Sequence, residues 1–120
     1  MANPFVHIEL MSSDVGKAKA FYGKLFDWEL EDMPMPDMTY TMIRVGEGTG
    51  GGLLKNPMPG GSSVWVPYVN VDDLRSATAK AKSLGATVHK ENVDVQDHGS
   101  FSIITDPTGA FLGLWQEKKK

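Results

Sequence analysis

The first strand-forming segment of the chain, residues 5–11, alternates regularly between its two faces. Its aliphatic face consists of Val6, Ile8 and Leu10. Its other face mixes aromatic, charged and apolar residues, namely Phe5, His7, Glu9 and Met11. A period of two is typical of a strand that packs one face against a core. We therefore predict that the aliphatic face packs on a helix and that the mixed face points away from it.

The segment that follows has the pattern of an amphipathic helix. Ser12, Ser13 or Asp14 can act as the N-cap, because a short polar side chain accepts a hydrogen bond from the first helical turn. The apolar positions then recur at helical spacing: Val15, Ala18, Phe21, Tyr22 and Leu25. Further strands are predicted at residues 28–33, 40–45 and 51–54. The two prolines of Met33-Pro34-Met35-Pro36-Asp37 predict a stretch without regular structure.

The second half of the chain repeats this plan at one constant offset. The segment from His7 to Val15 falls on the segment from Val66 to Leu74. The same offset matches three later pairs: Thr41 with Ser100, Ile43 with Ser102, and Val45 with Ile104. A repeat of this kind indicates one supersecondary unit used twice, with a cleft where the copies meet.

The second copy therefore has its own predicted elements. A strand at residues 64–71 precedes a helix that is capped by Asp72 or Asp73 and that ends at Gly85. Strands follow near residues 87–90, 101–105 and 110–116. Asp106-Pro107-Thr108-Gly109 has the composition of a tight turn between the last two strands.

Each half thus reads β-α-β-β-β, which predicts an α+β fold. A chain of 120 residues has the size of a single domain. We expect module one at about residues 4–54, a linker at 55–63 that is rich in proline, glycine and serine, and module two at about 64–116. A ferredoxin-like fold is the nearest alternative fold. It needs only β-α-β in each half, however, and does not account for the strands that follow in each half.

Composition narrows the functional classes. The sequence is 41% hydrophobic and 22% charged and contains no long apolar run, so we expect a globular protein that does not bind membranes. It has no pattern of a secretory signal and no cysteine, which favours a cytoplasmic location and excludes thiolate zinc sites. A net charge of −3 argues against nucleic acid as a partner.

Several segments carry a family resemblance. In the first half they are His7-Ile8-Glu9-Leu10 and Phe21-Tyr22-Gly23-Lys24-Leu25-Phe26-Asp27-Trp28. In the second half they are Trp65-Val66-Pro67-Tyr68-Val69, Leu84-Gly85-Ala86 and Asp106-Pro107-Thr108-Gly109-Ala110-Phe111. With these segments the chain resembles the vicinal oxygen chelate superfamily of glyoxalase I, bleomycin-resistance proteins and extradiol dioxygenases, in particular its small glyoxalase-like members. The resemblance implies two βαβββ modules in a half-open mixed barrel around a ligand cavity, with the helices outside, and a homodimer.

The resemblance also implies where a metal would bind. Metal-using members take four ligands from the first and fourth strands of the two modules. These places fall on His7, Val66, Leu54 and Gly113, with Gly52 and Leu53 as the neighbours of Leu54. Only His7 offers a coordinating side chain, whereas metals at catalytic sites usually have at least three protein ligands. We therefore predict no metal cofactor; the alternative is a rebuilt divalent-metal site that combines His7 with Glu9 and His98.

Alternation along the strands predicts the residues that bind a ligand: His7, Glu9, Tyr68, Phe111 and Trp115. Phe111 and Trp115 can stack on a planar group, and the Tyr68 hydroxyl can donate a hydrogen bond. A carboxyl on an apolar wall has a raised pKa, so Glu9 is also a candidate general base. The alternative is a structural Glu9 that pairs with His7 or a lysine. His7 is either a former metal ligand, a hydrogen-bonding group for the ligand, or a satisfied core histidine.

Two functional hypotheses follow. One is a binding protein that holds a small, partly aromatic molecule in a cavity that has lost most metal ligands. The other is a lyase or dioxygenase-type enzyme that uses a rebuilt metal site or Glu9 as a general base. The absence of metal-coordinating side chains favours the binding hypothesis, and the polar residues on the cavity wall are compatible with the catalytic one.

Overall fold

The computed structural model describes residues 3–35, 38–57, 60–95 and 98–118. The elements are β1 (Phe5–Ser12), α1 (Val15–Leu25), β2 (Glu29–Pro34), β3 (Thr39–Arg44), β4 (Gly51–Lys55), β5 (Val64–Asn70), α2 (Leu74–Ser83), β6 (Thr87–Val95), β7 (Gly99–Thr105) and β8 (Phe111–Glu117). The predicted α+β fold with two β-α-β-β-β modules is confirmed. Within the described ranges, no helix is long and apolar enough to cross a membrane.

The chain forms two compact units. We call His7–Val66 the N-terminal unit, and Pro67–Lys120 together with Met1–Val6 the C-terminal unit. The boundary falls inside β5, and the predicted linker begins where β4 ends at Lys55 and stops where β5 begins at Val64.

In the N-terminal unit the strand order is β2-β3-β4-β1. β1 runs parallel to β4, and β3 is antiparallel to both β2 and β4. Asp14 caps α1, since its side chain accepts a hydrogen bond of 3.1 Å from the backbone N–H of Lys17. The helix covers one face of the sheet, where the buried core consists of Leu10, Ile43 and Leu53.

The C-terminal unit repeats this arrangement with the order β5-β8-β7-β6. Asp73, rather than Asp72, caps α2, and Gly85 follows the helix with a φ of 102°, as predicted. The Asp106 carboxylate closes the turn before β8 by accepting hydrogen bonds from residues 108 and 110. The core under α2 consists of Leu74, Ile104 and Leu114.

The constant offset between the two halves holds only through the helices. The two caps, Asp14 and Asp73, correspond as the offset predicts. Beyond the helices the second copy runs two positions later, because Met42 lies opposite Gly52 in one unit and Ile103 lies opposite Gly113 in the other. The predicted pairing of Thr41 with Ser100, of Ile43 with Ser102 and of Val45 with Ile104 is therefore wrong by two positions. The cause is an irregular β6, whose register against β7 shifts twice between Val88 and Val93.

Two strand boundaries also differ from the prediction. β2 continues to Pro34, which lies opposite Thr39, although the proline-containing segment was expected to be irregular. Because β2 is last in the strand order of its unit, the missing N–H of Pro34 interrupts no hydrogen bond to a further strand. Pro36 and Asp37 lie outside the described residues. β6 is longer than expected and ends at Val95 rather than at residue 90.

Candidate functional site

The two faces of each sheet have different environments. Leu10 lies in the core beneath α1, so its neighbour Glu9 lies on the opposite face of β1. In the C-terminal unit, Leu112 and Leu114 face α2. Val6 and Ile8, which were also expected to face a helix, are each 37% exposed and belong to neither helix-side cluster. The faces that carry His7 and Glu9 in one unit and Tyr68 in the other hold the candidate functional residues.

In the N-terminal unit, three polar side chains form a hydrogen-bonded chain. The Tyr40 hydroxyl lies 2.7 Å from His7 Nε2 and donates to Glu9 Oε2 at 3.0 Å. Glu9 is only 8% exposed, and this charge-assisted hydrogen bond offsets part of the cost of burying its carboxylate. We call His7, Glu9, Tyr40 and Gly52 the polar site.

Burial also affects the charge of His7. Desolvation disfavours the imidazolium, and it therefore lowers the pKa of His7 below its usual value of 6.5. At neutral pH the ring is thus uncharged, and one of its nitrogens is a donor while the other is an acceptor. The polar site accordingly combines a neutral imidazole, a phenol and a buried carboxyl group.

Gly52 belongs to the polar site because it has no side chain. It lies on β4 opposite Glu9 on β1 and opposite Met42 on β3. A Cβ atom at this position would coincide with the hydroxyl end of the Tyr40 ring. Tyr40 can therefore reach Glu9 only because residue 52 has no side chain.

The C-terminal unit has a different cluster at the equivalent place. The ring of Tyr68, which is buried, packs edge to face on Phe101 at a centroid distance of 6.0 Å. A Cβ at Gly113 would fall within the Tyr68 ring, and Trp115 lies directly opposite Phe101 on the neighbouring strand. We call Tyr68, Phe101, Gly113 and Trp115 the aromatic site.

The structure thus brings some of the predicted residues together and leaves others apart. His7 and Glu9 are joined through Tyr40, and Tyr68 lies in one cluster with Trp115. Phe111 is 43% exposed, and the ring that it contacts is that of His89, at 5.3 Å. The predicted role of Phe111 in binding has no support from these contacts.

Sequence reasoning missed Tyr40 and Phe101. Both lie on the third strand of their module, and the corrected register makes them equivalent to each other. Alternation along β3 was the available signal, because Thr41 and Ile43 are buried on alternate positions and so place Tyr40 on the other face.

Among the described residues, the polar site contains no cluster of metal-binding side chains, and it does not line the surface cleft beside α1. In the part of the chain that the structure describes, no three His, Cys, Asp or Glu side chains are close enough to share a metal ion. A surface cleft of about 410 Å³ lies beside the start of α1, and its walls include Leu10 and Asp14. Since Leu10 belongs to the helix side of β1, this cleft is not the polar site.

Solved structures share this fold. The hypothetical protein BH1468 from Bacillus halodurans C-125 has a TM-score of 0.75 and 15% identity, with 100% of this chain and 98% of that chain covered. A methylmalonyl-CoA epimerase from Mycobacterium tuberculosis has a TM-score of 0.70 and 14% identity, with 96% and 88% covered. At such low identity the likeness shows the fold alone, which is that of the vicinal oxygen chelate proteins.

The sequence comparisons define the family. The chain is 34% identical over 119 residues to the protein named "Putative glyoxylase CFP32" in both Mycobacterium bovis and Mycobacterium tuberculosis. The match covers 93% of this chain but 45% of those proteins, so the chain spans about half the length of the curated relatives it matches. The family model of the Glyoxalase/Bleomycin resistance protein/Dioxygenase superfamily matches residues 5–114. The chain belongs to this superfamily, as the resemblance indicated.

Proposed function

We propose that this chain is a metal-independent, small-molecule-binding domain of the glyoxalase/bleomycin-resistance superfamily. The first-strand places that metal-using relatives employ hold His7 and Val66 here, and the fourth-strand places hold Gly52 and Gly113. The strand register favours Gly52 over Leu54 as the counterpart of Gly113. Of these four residues only His7 has a donor side chain, whereas a catalytic metal usually has at least three protein ligands.

One observation carries this proposal: a tyrosine fills the side-chain space at both fourth-strand glycines. The Tyr40 hydroxyl occupies that space at Gly52, and the Tyr68 ring occupies it at Gly113. A carboxylate or imidazole at either position would have to displace a ring that is already packed. The residues present therefore do not fit the metal site of the family, and no step of the proposed function involves a metal.

The roles of the predicted binding residues remain part of the proposal. Tyr68 and Trp115 belong to a cluster of aromatic rings, which suits a planar, partly aromatic molecule. His7 and Glu9 form hydrogen bonds on an otherwise apolar strand face, which suits recognition of a polar group. Phe111 is the weakest member of this set, because it is exposed and contacts His89.

The second candidate is a metal-free enzyme in which Glu9 is the general base. Its support is the position of the Glu9 carboxylate, which is buried and hydrogen-bonded by the Tyr40 hydroxyl. The names of the similar proteins, a glyoxylase and an epimerase, are also those of enzymes. A glyoxalase-like lyase is the corresponding activity for this chain.

Metal independence is tested by elemental analysis of the purified protein, followed by titration of nickel, zinc, manganese and iron(II) into metal-free protein. A specific site at a metal concentration of 100 times Kd would stabilise the fold by about 2.7 kcal/mol. We expect less than one equivalent of bound metal and no rise in Tm with metal concentration. One bound equivalent that disappears in His7→Ala would overturn the proposal.

Ligand binding is tested by titrating planar aromatic compounds while recording tryptophan fluorescence and Tm. Quenching that is lost in Trp115→Phe, but retained in Trp28→Phe, would locate the ligand at the aromatic site, because Trp28 packs on the helix side. Quenching that persists in Trp115→Phe would contradict this location.

The enzyme alternative has its own test. Glu9→Gln should abolish any lyase or proton-exchange activity while the far-UV circular dichroism spectrum stays unchanged. Turnover that is equal in the variant and the natural protein would remove Glu9 from the mechanism. Homodimerisation and a cytoplasmic location remain predictions; light scattering of the purified chain tests the first.

A further inference from the structure

The hairpin of β2 and β3 carries three methionines on one face. Met33 lies opposite Tyr40 in the register of the two strands. Met35 and Met38 continue this register past the strand ends, because each donates its backbone N–H to the C=O of the other, at 2.8 and 3.4 Å. Side chains two residues apart on a strand, or directly opposite each other, point to the same face of a sheet. Met33, Met35 and Met38 therefore share one face, and we call them the methionine cluster.

This face lies on the side of the sheet away from α1. Leu30 belongs to the core beneath α1, and the Asp32 carboxylate lies 2.9 Å from the Nζ atom of Lys19 on that helix. Both residues alternate with Met33 along β2, so Met33 points to the opposite face. The helix therefore covers the other side of this hairpin.

Exposure distinguishes the methionine cluster from core methionine. Met33, Met35 and Met38 are 37%, 39% and 40% exposed, whereas Met11 on β1 is 8% exposed. Methionine in a core supplies adaptable apolar volume, but a partly exposed thioether keeps a polarisable sulfur within reach of solvent. The methionine cluster is thus accessible to an ion from solution.

Strand geometry places the three side chains within reach of one ion. Met35 and Met38 form a hydrogen-bonded antiparallel pair, in which the Cα atoms are about 5.5 Å apart. Met33 and Met35 are neighbours on one strand face, about 6.6 Å apart. Met33 and Met38 are diagonal neighbours, at about 7–8 Å, which long side chains can still span. Methionine is unbranched and has three rotatable side-chain bonds, so the three sulfur atoms can converge on one point.

The donor atoms determine which ion such a site binds. A thioether is a soft, uncharged ligand, and soft sulfur ligands select Cu(I), whereas imidazole and oxygen donors suit nickel, iron and manganese. We propose that the methionine cluster is a Cu(I)-binding site in which Met33, Met35 and Met38 each supply one sulfur. The chain has no cysteine, so no thiolate within it competes for this ion.

This site is separate from the metal site of the family. Metal-using relatives take their ligands from the first and fourth strands of each module, whereas the methionine cluster lies on the hairpin of the second and third strands. The inference therefore goes beyond the proposed function and does not depend on it.

The repeated fold does not require these methionines. Phe101 is the counterpart of Tyr40, so the hairpin of β6 and β7 provides the equivalent places in the C-terminal unit. There Val93 lies opposite Phe101, and Val95 lies opposite Gly99. The three places that hold methionine in one unit thus hold two valines and a glycine in the other, which offer no donor atom. The thioethers belong to module one alone.

NMR of the chain with ¹³C-labelled methionine methyl groups locates the site. Ag(I), a soft closed-shell ion that is stable in air, is titrated in as the stand-in for Cu(I). We expect the methyl resonances of the methionine cluster to shift together and to saturate at one equivalent, while that of Met11 stays in place. Replacement of each residue by leucine assigns its resonance. No shift in the cluster, or an equal shift of Met11, would overturn the inference.

The affinity for Cu(I) is measured without oxygen, in competition with the chromogenic chelator bicinchoninate. Met33→Leu, Met35→Leu and Met38→Leu each remove one sulfur and nearly conserve side-chain volume. We expect each to weaken binding by about tenfold or more, since even the loss of a group that supports a ligand costs about 10–100-fold in metal affinity. Met11→Leu is the matched control and should leave the affinity unchanged. An equal loss in the control, or no loss in the three variants, would refute the site.

Binding at histidine is a separate outcome of the same experiment. If the Cu(I) affinity falls in His7→Gln, His89→Gln or His98→Gln but not in the three methionine variants, the ion binds elsewhere and the inference is refuted. Titration with nickel, zinc, manganese and iron(II) tests the proposed function independently. Binding of one of these ions that persists in Met35→Leu would contradict metal independence and leave the Cu(I) site intact.

Discussion

The absence of a side chain at Gly52 should matter for stability as much as any large side chain of the polar site. In Gly52→Ala the added methyl group would coincide with the end of the Tyr40 ring, so the ring has to move away. Tyr40 then loses its hydrogen bonds to Glu9 and His7. A hydrogen bond to a charged group contributes about 1.5–3 kcal/mol and one between neutral groups about 0.5–1.5 kcal/mol. We therefore expect the free energy of unfolding to fall by roughly 2–4.5 kcal/mol.

A double-mutant cycle isolates this steric conflict. In a Tyr40→Ala background the ring is absent, so the additional change Gly52→Ala should cost less than about 0.5 kcal/mol. The assay is equilibrium unfolding in urea, followed by both circular dichroism and tryptophan fluorescence. Coincidence of the two probes establishes that the two compact units unfold together, which a two-state treatment of the free energies requires.

A glycine-to-alanine change elsewhere serves as the control. A Cβ at Gly23, within α1, would lie 3.7 Å from a Leu30 methyl carbon, which is an ordinary contact. Because alanine has the higher helix propensity, Gly23→Ala should stabilise the protein by up to about 1 kcal/mol. If Gly52→Ala leaves stability within about 0.5 kcal/mol, or costs the same in both backgrounds, the steric argument for the polar site is refuted.

Three further outcomes follow from individual contacts. Thr78→Val should lower the free energy of unfolding by about 1–3 kcal/mol, because it removes the hydroxyl acceptor 2.8 Å from the fully buried Ser102 hydroxyl. Urea unfolding measures this loss, and a loss near zero would contradict the prediction. Asp73→Ala should cost about 1 kcal/mol by removing the cap of α2, and Asp72→Ala should cost measurably less in the same assay. Hydrogen bonds from the threonine hydroxyl two residues on, and from backbone N–H groups, lower the pKa of the Asp106 carboxyl below 3.8. The stabilisation of the fold by this carboxylate is therefore complete above that pH and is lost as the pH falls toward the folded-state pKa. The gap between the urea midpoints of the natural protein and Asp106→Ala should therefore be constant near pH 7 and shrink in acid; a gap independent of pH would refute this.

Local signals in the sequence were sufficient for the elements and for part of the site. The caps Asp14 and Asp73 follow from the short-range chemistry of a helix start, and the face of β1 that carries His7 follows from a period of two. Both signals depend on residues that are close in sequence. Tertiary contacts therefore change the features that these signals predict very little.

The errors in the prediction arose where tertiary contacts determine the local structure. Nothing short-range distinguishes the irregular part of β6, where Asn92 has a φ of 50°, from a regular strand. A constant repeat offset could not account for the two extra residues that this irregular part of β6 adds. The link from Tyr40 to His7 joins residues that are 33 positions apart and became visible only with the register of β3. Its counterpart, Phe101, was missed for the same reason.

The two outermost strands bear on how copies of this protein behave at high concentration. β2 comes last in the strand order of its unit, carries Glu31 and Asp32, and ends in a proline. β6 comes last in the other unit, and its register shifts break the even row of backbone groups. Charges, proline and irregular backbone all discourage a second chain from adding a strand to an exposed edge. We therefore expect these departures from ideal strand geometry to disfavour edge-to-edge aggregation of the protein.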